Sequence, residues 1–282
     1  MKYSVVLDIF GIAMCLPKSL FPDSATVCSI MDIVSEAGYS AVEFFDWADK
    51  DLDMYESNLK RLNLKVVSLF SKNKGNLADP NTHENIIQGF IETIPVAKRF
   101  GSDNILVLTG KELPLVPRDV QHNNIASLLK RIAVHAEAAG VTAIIEPISD
   151  FFPVPQPPEA LREVFRKSRE SFNVIREVGS PNVKLLFDIF HHQFMEGNVL
   201  NNLLPNLELV GHIHLANNPS RTDITIGELD YSYILQAIAD AGYDGYIGLE
   251  YFAFRGNRNR RIEDITMEDK KQSLIEAHKI LI

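Results

Sequence analysis

Four polar side chains close four apolar runs in the second half of the chain. They are Glu146 in AIIEP, Asp188 in KLLFDIFH, His214 in VGHIHLAN and Glu250 in YIGLEYF. A charged side chain that follows three or four buried aliphatic residues is costly unless it is paired or bound to a metal. Three converging carboxylates would repel one another, and a divalent cation removes that repulsion. The pattern therefore predicts a metal site formed by these four residues.

Three carboxylates and one imidazole suit Mn²⁺, Mg²⁺ or Co²⁺ better than a structural zinc ion. We expect one divalent ion, with Mn²⁺ favoured and Mg²⁺, Co²⁺ and Zn²⁺ as alternatives. His212 precedes His214 by two residues, so both project to one face of a strand, and His212 is expected one layer below the metal. His191 follows Asp188 by three residues, where it can contact a substrate oxygen, whereas His192 is expected at the surface or in packing.

Strand-like runs alternate with helix-like runs along the whole chain. The candidate strands are Tyr3–Asp8, Ser40–Phe45, Leu64–Phe70, Asn104–Thr109, Val141–Glu146, Val183–Asp188, Leu207–Leu215 and Gly245–Glu250. Apolar residues at helical spacing lie between them, in sets such as Val27, Ile30, Met31 and Val34, or Leu128, Ile132, His135 and Ala136. Eight such units predict an α/β fold, a (β/α)₈ TIM barrel with a single domain over residues 1–282. A two-domain doubly wound protein is the alternative, but no linker and no GxGxxG motif favours it.

Turn-forming residues mark where the helices should end and begin. Helix ends before the next strand are predicted at Gly38, Asn63, Gly101, Gly140, Gly179 and Gly242. Helix starts are predicted after Asp79-Pro80 and at Pro157-Pro158-Glu159. The proline-rich stretch from Pro153 to Pro158 follows the fifth strand, where barrel active sites form. It is either a stiff roof over the site or a rigid connection to the next helix.

Composition excludes several classes of protein. The chain has 282 residues, a formal net charge of −9 and a pI near 5.4, which argues against nucleic-acid binding. No apolar run of about 18 residues is present, so no membrane segment is expected. The first ten residues resemble a strand more than a signal peptide, and a cytoplasmic location follows by default. Cys15 and Cys28 lack metal-site spacing and are expected to be idle thiols.

Several long strings resemble the sugar isomerase/epimerase superfamily of xylose isomerase-like barrels, and within it the hydroxypyruvate isomerase branch most closely. The resemblance is strongest from residue 141 to 252. It rests on IIEPIS, EVGSPNVKLLFDIFHHQFMEGN, GHIHLANNPSR, GELDY and AGYDGYIGLEYF, with AGYSAVEFF as a weaker match.

The resemblance implies roles for particular residues. Metal ligands fall on Glu146, Asp188, His214 and Glu250, and the two glutamates also serve as the catalytic acid/base pair. His191 in DIFH and Arg221 in NNPSR hold substrate oxygens. The implied protein is a homo-oligomer, a dimer or a tetramer, that acts on a small sugar or hydroxy-keto acid.

The chain also departs from the hydroxypyruvate branch. That branch has Gln as the third metal ligand, whereas His214 stands here, as in the ketose 3-epimerases. The loop TDITIGELDY, the stretch Tyr251-Phe252-Ala253 and SKNKGNLADP also differ from the branch pattern. These departures leave the substrate open.

The predicted activity is a metal-dependent isomerase or epimerase that transfers a proton through a cis-enediolate. A metal-dependent dehydratase of the inosose or dehydroshikimate type is the main alternative, and sequence alone does not separate the two. An AP endonuclease is disfavoured because VVSLFSK, ILVLTGK and Thr222–Thr225 lack its additional histidines. A non-catalytic sugar-binding protein would not need two opposed carboxylates on a metal.

Three further features lie in the strands and loops of the predicted barrel. Arg255, Arg258, Arg260 and Arg261 follow the eighth strand, where this fold often binds phosphate, but a solvated loop or a subunit contact is preferred. Glu43 in AVEFF either faces the pocket or ends its strand. Glu228 in GELDY is expected to fix a loop.

Overall fold

The computed structural model describes residues 1–8, 23–72, 75–150, 162–253 and 264–281. Strands and helices alternate along these residues. The strands are β1 Lys2–Val6, β2 Ala41–Phe44, β3 Lys65–Phe70, β4 Asn104–Leu108, β5 Thr142–Glu146, β6 Val183–Asp188, β7 Val210–Leu215 and β8 Tyr246–Leu249. The helices are α1 Ser24–Glu36, α2 Leu52–Leu62, α3 His83–Phe100, α4 Arg118–Ala139, α5 Ser168–Val178, α6 Ile189–Met195, α7 Val199–Leu203, α8 Tyr231–Asp240 and α9 Met267–Leu281.

The sheet runs in the order β1 to β8 and closes on itself, so the predicted (β/α)₈ barrel is confirmed. The strand pairs for which the register is defined are parallel. Strands of a parallel barrel are covered on both faces, which explains why their sequences are almost continuously apolar. The active site of this fold lies at the C-terminal ends of its strands, and Glu146, Asp188, His214 and Glu250 lie at or beside these ends.

Contacts divide the chain into two compact units, residues 68–213 and residues 1–67 with 214–282. In the unit formed by residues 1–67 and 214–282, β1 pairs with β2 and β8, and Val5 lies opposite both Val42 and Leu249. Helix α1 buries the predicted apolar face of Val27, Ile30, Met31 and Val34. The sequence pattern therefore sets the inward face of this helix.

The unit of residues 68–213 contains the pairs β3–β4, β4–β5 and β5–β6. Helix α4 buries Leu128, Ile132 and Ala136, as predicted, whereas His135 is only partly covered. An imidazole at the edge of an apolar face can keep contact with solvent, and this accounts for the difference.

The seventh strand is shorter than predicted. It begins at Val210, because Leu204–Leu209 form a 3₁₀ helix with a proline in its first turn. Proline has no N–H to donate to a strand ladder, but it suits the first turn of a helix. The bounds of the other strands differ from the prediction by no more than two residues at either end.

Most of the predicted helix ends are observed where the sequence places them. Asn63, Gly101, Gly140 and Gly179 adopt the left-handed conformation that closes a helix. At Gly38 and Gly242 the helix instead ends on the preceding alanine, and the glycine follows with positive φ. Asp79-Pro80 starts a single 3₁₀ turn, Pro80–Thr82, before helix α3.

Some predictions fall outside the described residues. These are the helix start at Pro157–Glu159, the stretch Pro153–Pro158, Cys15 and the arginines from Arg255 to Arg261. Cys28 is buried and free. Within the described ranges, no helix is both long and apolar enough to cross a membrane.

We predict that Gly140→Ala lowers the free energy of unfolding by about 1 kcal/mol, because a residue with a Cβ resists positive φ. Gly140 has φ 61°, and no atom lies within 4 Å of the position of an added Cβ, so no clash adds to the cost. Gly140→Asn is the matched control. It should cost less, since Asn63 caps helix α2 with φ 54°. Urea denaturation measures both, and equal losses for the two variants would contradict this account.

Candidate metal centre

The four predicted ligands lie at or beside the C-terminal ends of their strands. Glu146 and Asp188 are the last residues of β5 and β6, His214 is the last but one of β7, and Glu250 directly follows β8. All four side chains are buried. Each offers one ligand atom, and these atoms all lie within 4.8 Å of one another. The structure therefore brings together the set that the sequence singled out, and it forms a group able to hold a metal ion.

The chemistry of this group fits a divalent cation. Three of its ligands are carboxylates, and buried carboxylates at such separations repel strongly unless positive charge lies among them. Oxygen donors with one imidazole nitrogen match the preferences of Mn²⁺ and Mg²⁺. The assignment of these residues as ligands, and of Mn²⁺ as the ion, stays a prediction.

His214 lies between two carboxylates. Its Nδ1 is 2.9 Å from Oε2 of Glu250, and its Nε2 is 3.1 Å from Oε2 of Glu43. Burial alone would lower the pKa of His214, but the charges of Glu43 and Glu250 outweigh it and hold the pKa well above its usual range. The surroundings of this ring thus attract positive charge.

Arg221 reaches the same carboxylate as His214. Its Nη2 lies 2.8 Å from Oε2 of Glu250, and its side chain is buried. The backbone of Arg221 has φ 52°, and its carbonyl accepts a hydrogen bond from the N–H of Phe252. The predicted substrate-binding arginine is therefore held beside a predicted catalytic glutamate.

The loop that carries Arg221 is organised by Asn217. The buried amide of Asn217 donates to the carbonyls of Ile224 and Leu229, and its oxygen accepts from the N–H of Leu229. Gly227 packs so closely on Asn217 that a Cβ at position 227 would overlap the amide. Glu228 is exposed, and its backbone N–H donates to the carbonyl of Asn218. The expected loop-fixing role of residue 228 is thus carried out by its backbone.

His191 lies against Ser149, just beyond the end of β5. The backbone N–H of Ser149 donates to Nδ1 of His191 at 3.2 Å, and the hydroxyl oxygen of Ser149 is 2.7 Å from the same nitrogen. Because an N–H can only donate, Nδ1 is an acceptor, and a neutral His191 carries its proton on Nε2. That nitrogen lies 3.8 Å from Oδ2 of Asp188. His191 is thereby prepared to donate a hydrogen bond beside a predicted ligand.

The two remaining histidines of this region are also buried. His192 stacks on Phe187 with ring centroids 3.6 Å apart, and burial lowers its pKa to about 4. It is a packing residue, which is one of the two predicted roles. His212 is buried and belongs to a second group of potential ligands with Glu43 and His214.

Sequence reasoning left the role of Glu43 open, between facing the pocket and ending its strand, and it gave no role to Ser149 or Asn217. Glu43 lies inside β2, and the other two lie in loops. A carboxylate in the middle of the apolar run AVEFF was the one available signal. Nothing in the sequence identified the partners of Ser149 or Asn217.

The family of this chain follows from a comparison with known proteins. Residues 31–271 match the family model described as the xylose isomerase-like TIM barrel. The chain belongs to this family. The match extends through both compact units and agrees with the observed barrel.

Individual relatives include hydroxypyruvate isomerase of Escherichia coli (strain K12), 26% identical over 224 residues, covering 77% of this chain and 84% of the relative. A 2-oxo-tetronate isomerase of Cupriavidus necator is 35% identical over 156 residues, covering 54% of this chain and 55% of the relative. Among solved structures, an L-ribulose 3-epimerase has a TM-score of 0.77 at 19% identity, covering 100% of this chain and 93% of the other. The structural match concerns the fold, and the relatives, both named as isomerases, support the predicted isomerase class of enzyme.

We predict that Asn217→Ala lowers the free energy of unfolding by about 1–3 kcal/mol, because it leaves buried backbone groups without their partner. Gly227→Ala should act in the same direction through the clash with Asn217. Both variants should also speed limited proteolysis between residues 216 and 230. Asn201→Ala is the control, since Asn201 is exposed and its side-chain amide donates to the side chain of the nearby Asn198. If it destabilised the protein as much as Asn217→Ala, the assignment of Asn217 would be wrong.

Proposed function

We propose that this protein is a divalent-metal-dependent isomerase or epimerase that moves a proton on a small hydroxy-keto acid or sugar. The observation that carries the proposal is the convergence of four buried ligand atoms within 4.8 Å, contributed by Glu146, Asp188, His214 and Glu250. The proposed ion is Mn²⁺, with Mg²⁺, Co²⁺ or Zn²⁺ as alternatives. We further propose one barrel domain over residues 1–282, a homo-oligomer, either dimer or tetramer, and no nucleic-acid partner.

Glu146 and Glu250 are the proposed acid/base pair. One glutamate removes the proton from the carbon beside the substrate carbonyl, which gives an enediolate. The same or the opposite glutamate returns a proton. Delivery to the neighbouring carbon is isomerisation, and delivery to the other face of the first carbon is epimerisation. When bound, the divalent cation polarises the carbonyl and contributes several kcal/mol of charge stabilisation.

His191 and Arg221 are the proposed substrate-binding residues. With Nδ1 occupied by the N–H of Ser149, His191 offers its Nε2–H to a substrate oxygen. Arg221 brings a buried guanidinium to the site, where it can pair with an anionic group. The relatives named for hydroxypyruvate and 2-oxo-tetronate, both keto acids, favour a substrate with a carboxylate. We therefore rank a hydroxy-keto acid ahead of a neutral sugar.

The site of proton exchange tests the reaction class. Ketoses, aldoses and keto acids are incubated with the protein and Mn²⁺ in D₂O, and the products are analysed by NMR and mass spectrometry. We expect deuterium at carbon 1, 2 or 3 of a product that has the mass of its substrate apart from deuterium. A product lighter by one water would instead identify a dehydratase, and the absence of both conversion and exchange with every compound would refute the proposal.

Metal removal tests the centre itself. Dialysis against a chelator should reduce turnover to the uncatalysed background, because the ion stabilises charge that no side chain can replace. Adding Mn²⁺ back should restore turnover, and Mg²⁺, Co²⁺ and Zn²⁺ should restore it to different extents. Full activity in protein shown by elemental analysis to be metal-free would contradict the proposal.

Glu146→Gln and Glu250→Gln should each abolish turnover while retaining the fold, since a positioned base contributes roughly 10²–10⁴-fold and each carboxylate is also a proposed ligand. Steady-state rates with saturating Mn²⁺ measure the loss, and circular dichroism checks folding. Glu177→Gln is the matched control, because Glu177 is exposed and paired with Lys130 on the surface. Near-wild-type rates in either of the first two variants would reject the acid/base assignment.

A further inference from the structure

Glu43 is a buried carboxylate to which the proposed reaction gives no task. It is the third residue of β2 and is almost completely buried. The hydroxyl of Ser4 donates to its Oε1 at 2.6 Å, and its Oε2 lies 3.1 Å from Nε2 of His214. The two carboxylate oxygens therefore have different partners, and one of these partners is a proposed metal ligand.

The imidazole of His214 presents its two nitrogens to two different carboxylates. Nε2 faces Glu43, and Nδ1 faces Oε2 of Glu250. A neutral imidazole has one N–H and one lone pair, and the hydrogen bond at one nitrogen decides which nitrogen can bind a metal. If Glu43 accepts the N–H of Nε2, the lone pair stays on Nδ1, on the side of Glu250.

Gly248 makes room for this contact. It lies in β8, and an added Cβ would overlap Oε1 of Glu43 and come within 2.7 Å of Cδ2 of His214. A residue with a Cβ at this position would force the carboxylate of Glu43 or the ring of His214 to move. The contact between Glu43 and His214 is thus supported on two sides. Ser4 donates a hydrogen bond to Glu43, and Gly248 leaves the space that the carboxylate and the ring occupy.

We propose that Glu43 is a positioning residue that fixes the orientation and tautomer of His214, so that Nδ1 faces the divalent cation of the proposed function. The inference rests on that proposed centre, and it adds a residue that does not touch the ion. Ser4 in turn holds Glu43 by donating to the oxygen that His214 does not use. Carboxylates that accept the second N–H of a metal-binding histidine raise its basicity and fix its ring.

One alternative gives Glu43 a direct role. Ligand atoms of Glu43, His212 and His214 also lie within 4.8 Å of one another, so Glu43 could itself bind an ion. We favour the positioning role, because the four-residue group that contains Glu146, Asp188 and Glu250 supplies three carboxylates to neutralise a cation. The group of Glu43, His212 and His214 supplies only one. The two roles differ in whether the effect of Glu43 depends on His214.

The test measures Mn²⁺ affinity of metal-free protein by electron paramagnetic resonance of the free ion. Glu43→Ala should weaken binding about 10–100-fold. Glu43→Gln keeps an oxygen acceptor for Nε2 and should lose less, about tenfold or below. Glu163→Gln is the matched control. It removes the charge of another buried glutamate, which is paired with Lys111, and should leave the affinity unchanged. Thermal denaturation followed by circular dichroism verifies that each variant is folded.

Repeating Glu43→Ala in a His214→Gln background separates the two roles. The amide oxygen of glutamine can still bind Mn²⁺, so affinity stays measurable. If Glu43 acts through His214, adding Glu43→Ala to the His214→Gln variant should change the Mn²⁺ affinity less than about threefold, because the effects of coupled residues are not additive. If Glu43→Ala weakened Mn²⁺ binding as much in the His214→Gln variant as in the wild-type protein, Glu43 would be a ligand and the proposal would be overturned. Unchanged Mn²⁺ affinity of Glu43→Ala in the wild-type background would also overturn it. If the wild-type protein bound no Mn²⁺, the proposed function itself would fail.

Discussion

Buried negative charge at the strand ends is the constraint on which the site depends. Glu146, Asp188 and Glu250 are all removed from solvent, and their ligand atoms share a small volume with that of His214. Such a group is stable only if positive charge compensates it. Arg221 supplies part of this compensation through its ion pair with Glu250. The remaining negative charge is the reason why this group of side chains is able to hold a cation.

The sequence was informative wherever a strand delivers a side chain by its own register. A polar residue at the end of an apolar strand leaves few positions for its side chain, and a closed parallel barrel brings such ends to one side. This is why the convergence of these side chains could be predicted from AIIEP, KLLFD and YIGLE, whereas their role as ligands stays a prediction. The helix ends were predictable for a similar local reason, since Gly101, Gly140 and Gly179 adopt the conformation that glycine tolerates best. The shortened start of β7 was missed because a proline turn took the place of strand residues.

What the sequence could not indicate are contacts between residues far apart in the chain. Glu43 and His214 are separated by 171 positions, and Ser149 and His191 by 42. Nothing in AVEFF distinguishes a glutamate that holds a histidine from one that merely ends its strand. Asn217 has partners within twelve residues, but its role depends on a loop conformation that no periodic pattern encodes. The contacts of these residues are set by tertiary structure, whereas those of the strand-end residues follow from strand register.

Asp188 combines two tasks that are usually separate. It ends β6, where it contributes to the ligand group, and its Oδ1 also accepts the N–H of His191 and so caps the short helix Ile189–Met195. One carboxylate thus belongs to the ligand group and also holds the first turn of the helix that carries His191. Replacing Asp188 would therefore remove one member of the ligand group and the cap of this helix in a single step.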